Sequence, residues 1–156
     1  MTLDSTNFKK MKKEVEEFFK QMTFDVEIEL LPQRDQTLTV NLKTENPQIL
    51  IGERGETLLD IQHLLKAILK RKAGIKELFY VDLDINDYKK KKIAYLKEMA
   101  RSATEEVVLT KKEKILPPMP AYERRIIHLE LADNSNITTE SVGQEPERRI
   151  VIRPCH

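Results

Sequence analysis

The sequence contains no tryptophan, one cysteine and four glycines, and none of its apolar runs approaches the length of a membrane span. A single cysteine, Cys155, excludes an intramolecular disulfide, and its position beside the C-terminus leaves no set of ligands around it for a structural metal. No metal or cofactor is therefore expected. The N-terminal Met1-Thr2-Leu3-Asp4-Ser5 lacks the basic-then-apolar order of a signal peptide, so a cytoplasmic protein without a membrane span is the expectation. There is no low-complexity tract and no repeat of fixed period, which argues against a long disordered segment or a solenoid. A strong excess of one charge is also missing. With 27 Lys+Arg against 26 Asp+Glu the net charge is +1, too little for a protein that coats nucleic acid by bulk positive charge. The balance is uneven, however, since residues 1–85 are slightly acidic and residues 86–156 mildly basic.

What is present is 40% hydrophobic residues in a chain of 156, enough to build one ordinary core or two compact ones. Phe8, Met11, Val15, Phe18 and Met22 recur at steps of three and four between charged residues, which predicts an amphipathic helix. Phe24, Val26, Ile28 and Leu30 then alternate with acidic residues, and Leu38, Val40 and Leu42 repeat the alternation after residues 32–36, predicting two antiparallel strands. Leu58, Ile61, Leu65 and Ile68 mark a second helix ending near Lys72, with Gly74 as its stop, and a strand is expected from Leu78 to Ile85.

A boundary is placed near Asn86, which can cap a long helix with Ile93, Leu96, Ala100, Ala103 and Val107 on its apolar face. Prolines 117, 118 and 120 hold the next segment extended before a short helix. Two strands, near Ile137–Val142 and Arg148–Arg153, finish the chain around a turn at Gly143-Gln144-Glu145-Pro146. The fold class is thus α+β, in two domains of residues 1–85 and 86–156.

Two short motifs carry the chemistry. Gly52-Glu53-Arg54-Gly55 stands immediately before the second helix. Glycines three apart let a backbone approach a sugar-phosphate strand, and the first amides of a helix are unpaired donors beside a partial positive charge. A plain turn before a helix is the bland reading of the same residues, and the order of elements around them weighs against it. In the second half, Arg124 and His128 are four apart and share a helix face. A guanidinium can fork onto phosphate or stack on a base, and an imidazole offers a donor, an acceptor and a planar surface, which together suit a flexible single strand. The bland alternative is an ordinary, partly buried helix histidine. Arg125 beside the pair, and Arg149 and Arg153 on one face of the last strand, can extend a basic surface. The runs Lys89-Lys90-Lys91-Lys92 and Lys111-Lys112-Glu113-Lys114 either track phosphates or are simply solvated. His63 is expected at the surface or lining a groove.

The order helix, strand, strand, Gly-x-x-Gly, helix, strand over residues 7–85 resembles a prokaryotic-type KH domain. The resemblance implies that Gly52, Glu53, Arg54 and Gly55 clamp a single strand, with Ile49, Leu50, Ile51 and Leu58 near an apolar groove for the bases. KH loops commonly carry two basic residues between the glycines, whereas Glu53 occupies the first of those positions here. Pro118-Met119-Pro120-Ala121-Tyr122-Glu123-Arg124-Arg125-Ile126-Ile127-His128, after a long helix and before the Gly143 turn, is similar to the R-three-H domain, a single-stranded nucleic-acid-binding module, over residues 86–153. The two modules in tandem resemble the Jag, or KhpB, family of bacteria. That resemblance implies a single-stranded RNA-binding regulator connected with cell shape, division or sporulation. Its partners would be single-stranded RNA, with single-stranded DNA as a competitor, and a separate small KH-domain protein. Members often carry a further small N-terminal domain, and this chain is expected to begin at the KH helix without it.

A catalytic function would need a nucleophile with a base, paired carboxylates or clustered metal ligands, and three scattered histidines with one terminal cysteine provide none. The competing class is an adaptor of the cell envelope or division machinery, for which nucleic-acid binding would be secondary.

Overall fold

The computed structural model describes residues 5–34, 36–72, 74 and 79–155, and twelve elements lie among them. The chain divides into two units, Met1–Lys89 and Lys90–His156. The first contains α1 (Ser5–Gln21), β1 (Glu27–Arg34), β2 (Thr37–Lys43), α2 (Pro47–Ile51), a 3-10 turn (Glu53–Gly55), α3 (Glu56–Lys72) and β3 (Tyr80–Ile85). The second is built from α4 (Tyr88–Thr110), whose first two residues still belong to the first unit, β4 (Lys114–Ile115), α5 (Ala121–Leu131), β5 (Ile137–Val142) and β6 (Arg149–Pro154).

In the first unit β2 is the central strand. It pairs antiparallel with β1, from Glu27 opposite Lys43 to Leu31 opposite Thr39, and parallel with β3, from Thr37 opposite Tyr80 to Leu42 opposite Ile85. A parallel neighbour cannot be reached through a tight hairpin, so α2, the turn and α3 form the crossover. Period-two alternation turns Leu38, Val40 and Leu42 of β2 and Val81, Leu83 and Ile85 of β3 inward, where they meet Met11, Val15 and Phe19 of α1 and Leu58, Ile61, Leu65 and Leu69 of α3. Full burial of each such side chain stabilises the fold by about 1.5–3 kcal/mol. Three details differ from the sequence pattern. Phe19, rather than Phe18, is the deeper aromatic, with Phe18 edge-on to it at 5.0 Å. Leu69 takes the core position expected for Ile68, which is only partly buried. The β3 strand begins at Tyr80, and Leu78 lies outside the described residues.

Asn86 does not cap α4. Its side chain accepts from the Thr44 N–H at 3.0 Å and donates to the Thr44 carbonyl at 2.7 Å, stitching the end of β2 to the end of β3. The first turn of α4 is served instead by Asp84, whose carboxylate accepts from the Lys89 N–H at 3.2 Å. Asn86 and Asp87 both adopt left-handed φ angles, as a sharp strand-to-helix turn requires.

In the second unit β6 is central, antiparallel to β4 on one side and to β5 on the other. Ile150 and Ile152 project from it into a core formed with Leu96, Ala100, Ala103 and Val107 of α4 and Ile127 and Leu131 of α5. Ile93, expected in that stripe, is exposed one turn before it starts. The proline-rich segment is extended, as its prolines demand, and continues the line of β4 along β6 through Leu116 N–H to Ile150 carbonyl and Met119 N–H to Arg148 carbonyl bonds of 2.9 and 3.1 Å. Leu116 and Met119 are thereby buried. No helix among the described residues is long and apolar enough to cross a membrane.

Candidate nucleic-acid interface

The Gly52–Gly55 loop is a compact knuckle between α2 and α3. Gly52 donates its N–H to the Gln48 carbonyl at 2.9 Å, closing α2, and holds φ 72°, ψ −177°, a conformation that only glycine adopts without strain. Arg54 is itself left-handed at φ 55°, and Gly55 follows at φ 84°. These angles turn Glu53 and Arg54 outward, where both side chains are exposed. The glycines meanwhile face the protein. A Cβ on Gly52 would lie 2.6 Å from the Thr57 Cβ, and one on Gly55 would lie 3.0 Å from the Tyr88 ring. Glycine is required here by the loop's own packing, a reason the spacing alone did not reveal.

The apolar surroundings divide. Leu50 and Leu58 are core residues, 1% and 2% exposed, and so cannot line a groove for bases. Ile51 is partly buried against the same core. Ile49, at 63% exposure, is the apolar side chain that α2 presents beside the loop. His63 is at the surface of α3.

In the second unit α5 carries Arg124 and His128 one turn apart. Arg124 is 6% exposed overall. One guanidinium nitrogen, Nη1, donates to the Met119 carbonyl at 2.7 Å, and Nη2 meets the Glu145 carboxylate at 2.8 Å. The helix residue expected to reach out to a ligand is thus anchored between the proline-rich segment and the β5–β6 loop. His128 is half-buried, its Nδ1 hydrogen-bonded to the Thr139 hydroxyl of β5 at 2.8 Å. Loss of solvation, and then the positive charge of Arg124, hold its pKa below the ordinary value. The neutral form of the ring is thereby favoured, and with Nδ1 engaged its remaining hydrogen-bonding atom is Nε2.

Arg125, one residue round the helix, is exposed. Arg149 turns back on its own loop, Nε donating to the Glu147 carbonyl at 3.0 Å and Nη2 reaching the Glu147 carboxylate at 3.2 Å. Arg153 is paired to Glu113 and Glu140, and Arg148 donates to the Ser141 hydroxyl at 3.0 Å. Glu123, buried at the start of α5, accepts from Tyr122 at 3.0 Å and pairs with Lys92 at 3.4 Å. That places one member of the lysine run in a structural contact. Thr139 and Glu145 had no sequence signal: one is an unremarkable strand position, the other a turn residue, and only the return of the chain brings them to α5. Among the described residues no three His, Cys, Asp or Glu side chains gather as metal ligands.

Comparison with known families matches residues 94–154 to the R-three-H domain, which takes in α5 and all three strands of the second unit. Among curated proteins, the RNA-binding protein KhpB of Lactiplantibacillus plantarum is 39% identical over 114 residues, 73% of this chain and 35% of that protein. RNA-binding protein KhpB of Clostridium symbiosum is 34% identical over 131 residues, 84% of this chain and 58% of the relative. The Bacillus subtilis protein of the same name is 35% identical over 118 residues, 74% of this chain and 56% of the relative. The chain spans 35% to 58% of the length of these relatives.

Proposed function

Since the chain belongs to the Jag/KhpB family, we propose that it binds single-stranded RNA without catalysing a reaction on it, as a post-transcriptional regulator. The first unit acts as a KH domain and the second as an R-three-H domain. The observation that carries this reading is the Arg124–His128 pair on one face of α5, with a guanidinium oriented by a backbone carbonyl and an imidazole oriented by a hydroxyl. Two oriented planar groups side by side suit the phosphates and splayed bases of an unpaired strand, because little side-chain freedom is lost when such a strand docks. In the first unit Arg54 supplies the loop's positive charge, while Glu53 opposes it and lowers the affinity this loop contributes. Arg125 adds a solvent-facing cation.

Titrating the purified protein with a labelled single-stranded RNA at several salt concentrations tests this. The logarithm of the association constant should fall with the logarithm of salt at about −0.7 per phosphate neutralised. Absence of binding at low salt overturns the reading and leaves a protein-binding adaptor as the alternative. DNA of the same sequence in competition separates a requirement for the 2′-hydroxyl from general single-strand binding.

A further inference from the structure

Arg124 is nearly closed off by its two partners, and those partners differ in kind. The Met119 carbonyl belongs to the extended segment locked against β6, and it fixes the plane of the guanidinium. Glu145 belongs to the β5–β6 loop and its side chain is 55% exposed, while the arginine it caps is 7% exposed. A carboxylate and a phosphate present the same acceptor geometry to a guanidinium edge. From this, and resting on the RNA-binding reading above, we propose that Glu145 occupies in the RNA-free protein the edge of Arg124 that a backbone phosphate takes on binding. RNA enters by displacing this carboxylate.

The energetics favour exchange. A buried guanidinium left without an anionic partner is destabilising even with a carbonyl on one nitrogen, so the empty site needs a substitute anion. An ion pair whose acidic partner is half in solvent is worth little, so that substitute leaves easily. Glu145 returns to water when displaced, whereas the incoming phosphate also releases counterions. Gly143, with a left-handed φ of 89°, starts the loop that carries Glu145, and no other hydrogen bond or ion pair holds that carboxylate among the described residues. The arrangement makes affinity for single strands a competition between one carboxylate of the chain and one phosphate of the ligand.

The test compares the full chain with Glu145→Gln and with Glu105→Gln, an equal change of charge on an exposed position of α4, using a short labelled oligouridylate. Glu145→Gln should bind about two- to fivefold more tightly than the unsubstituted protein, the span expected for losing a half-exposed competing ion pair. Glu105→Gln should change affinity less. If Glu145→Gln binds no better than Glu105→Gln, or binds more weakly, the competition is overturned while the RNA-binding reading stands. If the unsubstituted protein does not bind the oligonucleotide at all, both fall. A second measurement needs no variant: the guanidinium nitrogen resonances of Arg124, followed by arginine-selective NMR, should move on saturation with RNA. Unmoved resonances overturn the exchange.

Discussion

The phenol ring of Tyr88 lies so close to Gly55 that a Cβ there would come within 3.0 Å of its Cε1 and 3.1 Å of its hydroxyl. The glycine that opens α3 is thus matched to the first residue of α4, 33 positions further along the chain. This contact, with that of Gly52 against Thr57, makes the loop part of the first core's scaffold as well as a candidate clamp.

Substitution of the glycines therefore disturbs the fold. Gly52→Ala combines an all but glycine-only backbone conformation, worth about 1–3 kcal/mol, with a collision against Thr57. Replacing both glycines by aspartate should likewise lower the denaturation midpoint, whatever it does to binding. Urea unfolding followed by circular dichroism checks this, and an unchanged midpoint would show that the loop relaxes freely.

The loop's contribution to binding is better read at its exposed tip. Glu53→Lys should tighten single-stranded RNA binding and steepen its salt dependence, and Arg54→Ala should weaken both, each changing the slope by about 0.7 for every phosphate the loop engages or releases. Fluorescence anisotropy across a salt series measures it. Unchanged slopes for both variants would remove this loop from the interface.

His128 sets a pH dependence whose sign is fixed by its environment. Burial and the neighbouring Arg124 keep the folded-state pKa below the ordinary value, whereas the unfolded chain titrates near about 6.5. As pH falls through that unfolded value the unfolded state takes up a proton that the native ring refuses. The contribution of this group to stability is thus full above the unfolded pKa and is lost as pH falls toward the folded one. His128→Gln should flatten that part of the stability profile. Titration of the His128 ring protons by NMR should give a midpoint below the ordinary histidine value, and a midpoint above it would contradict the packing described.

Thr104 offers a test of the second core independent of function. Its side chain is buried in the middle of α4, and its hydroxyl has no hydrogen-bond partner among the described residues. Thr104→Val keeps the shape and removes the unsatisfied group, so it should stabilise the protein by about 1 kcal/mol, within the range of the penalty for an unpaired buried polar group. Destabilisation on thermal or urea unfolding would mean that the hydroxyl is satisfied in solution.

Much of the architecture was legible because periodicity is local. The alternation at Leu38, Val40 and Leu42 named the buried face of β2, and Leu96, Ala100, Ala103 and Val107 named that of α4, since side-chain direction within an element is set by its own geometry. The turn at residues 143–146 was legible from its glycine and proline. Other elements carried no such signal. The five residues of α2 and the two of β4 are too few for a pattern to repeat, so no element was expected at either. Asn86 has the chemistry of a helix cap, but Thr44 across the sheet competes for its side chain and wins.

The candidate site divides along the same line. By itself the sequence determined which residues are the candidates, the Gly52–Gly55 loop ahead of a helix and the Arg124–His128 pair one turn apart, because spacing along the chain fixes neighbours within a turn. Only the tertiary structure decided what each of them faces: Thr57 and Tyr88 behind the glycines, Met119 and Glu145 on the arginine, Thr139 on the histidine. The arginine and histidine contacts bring together groups from separate elements, and burial and charge state depend on how the chain returns on itself. No local pattern of residues encodes that return.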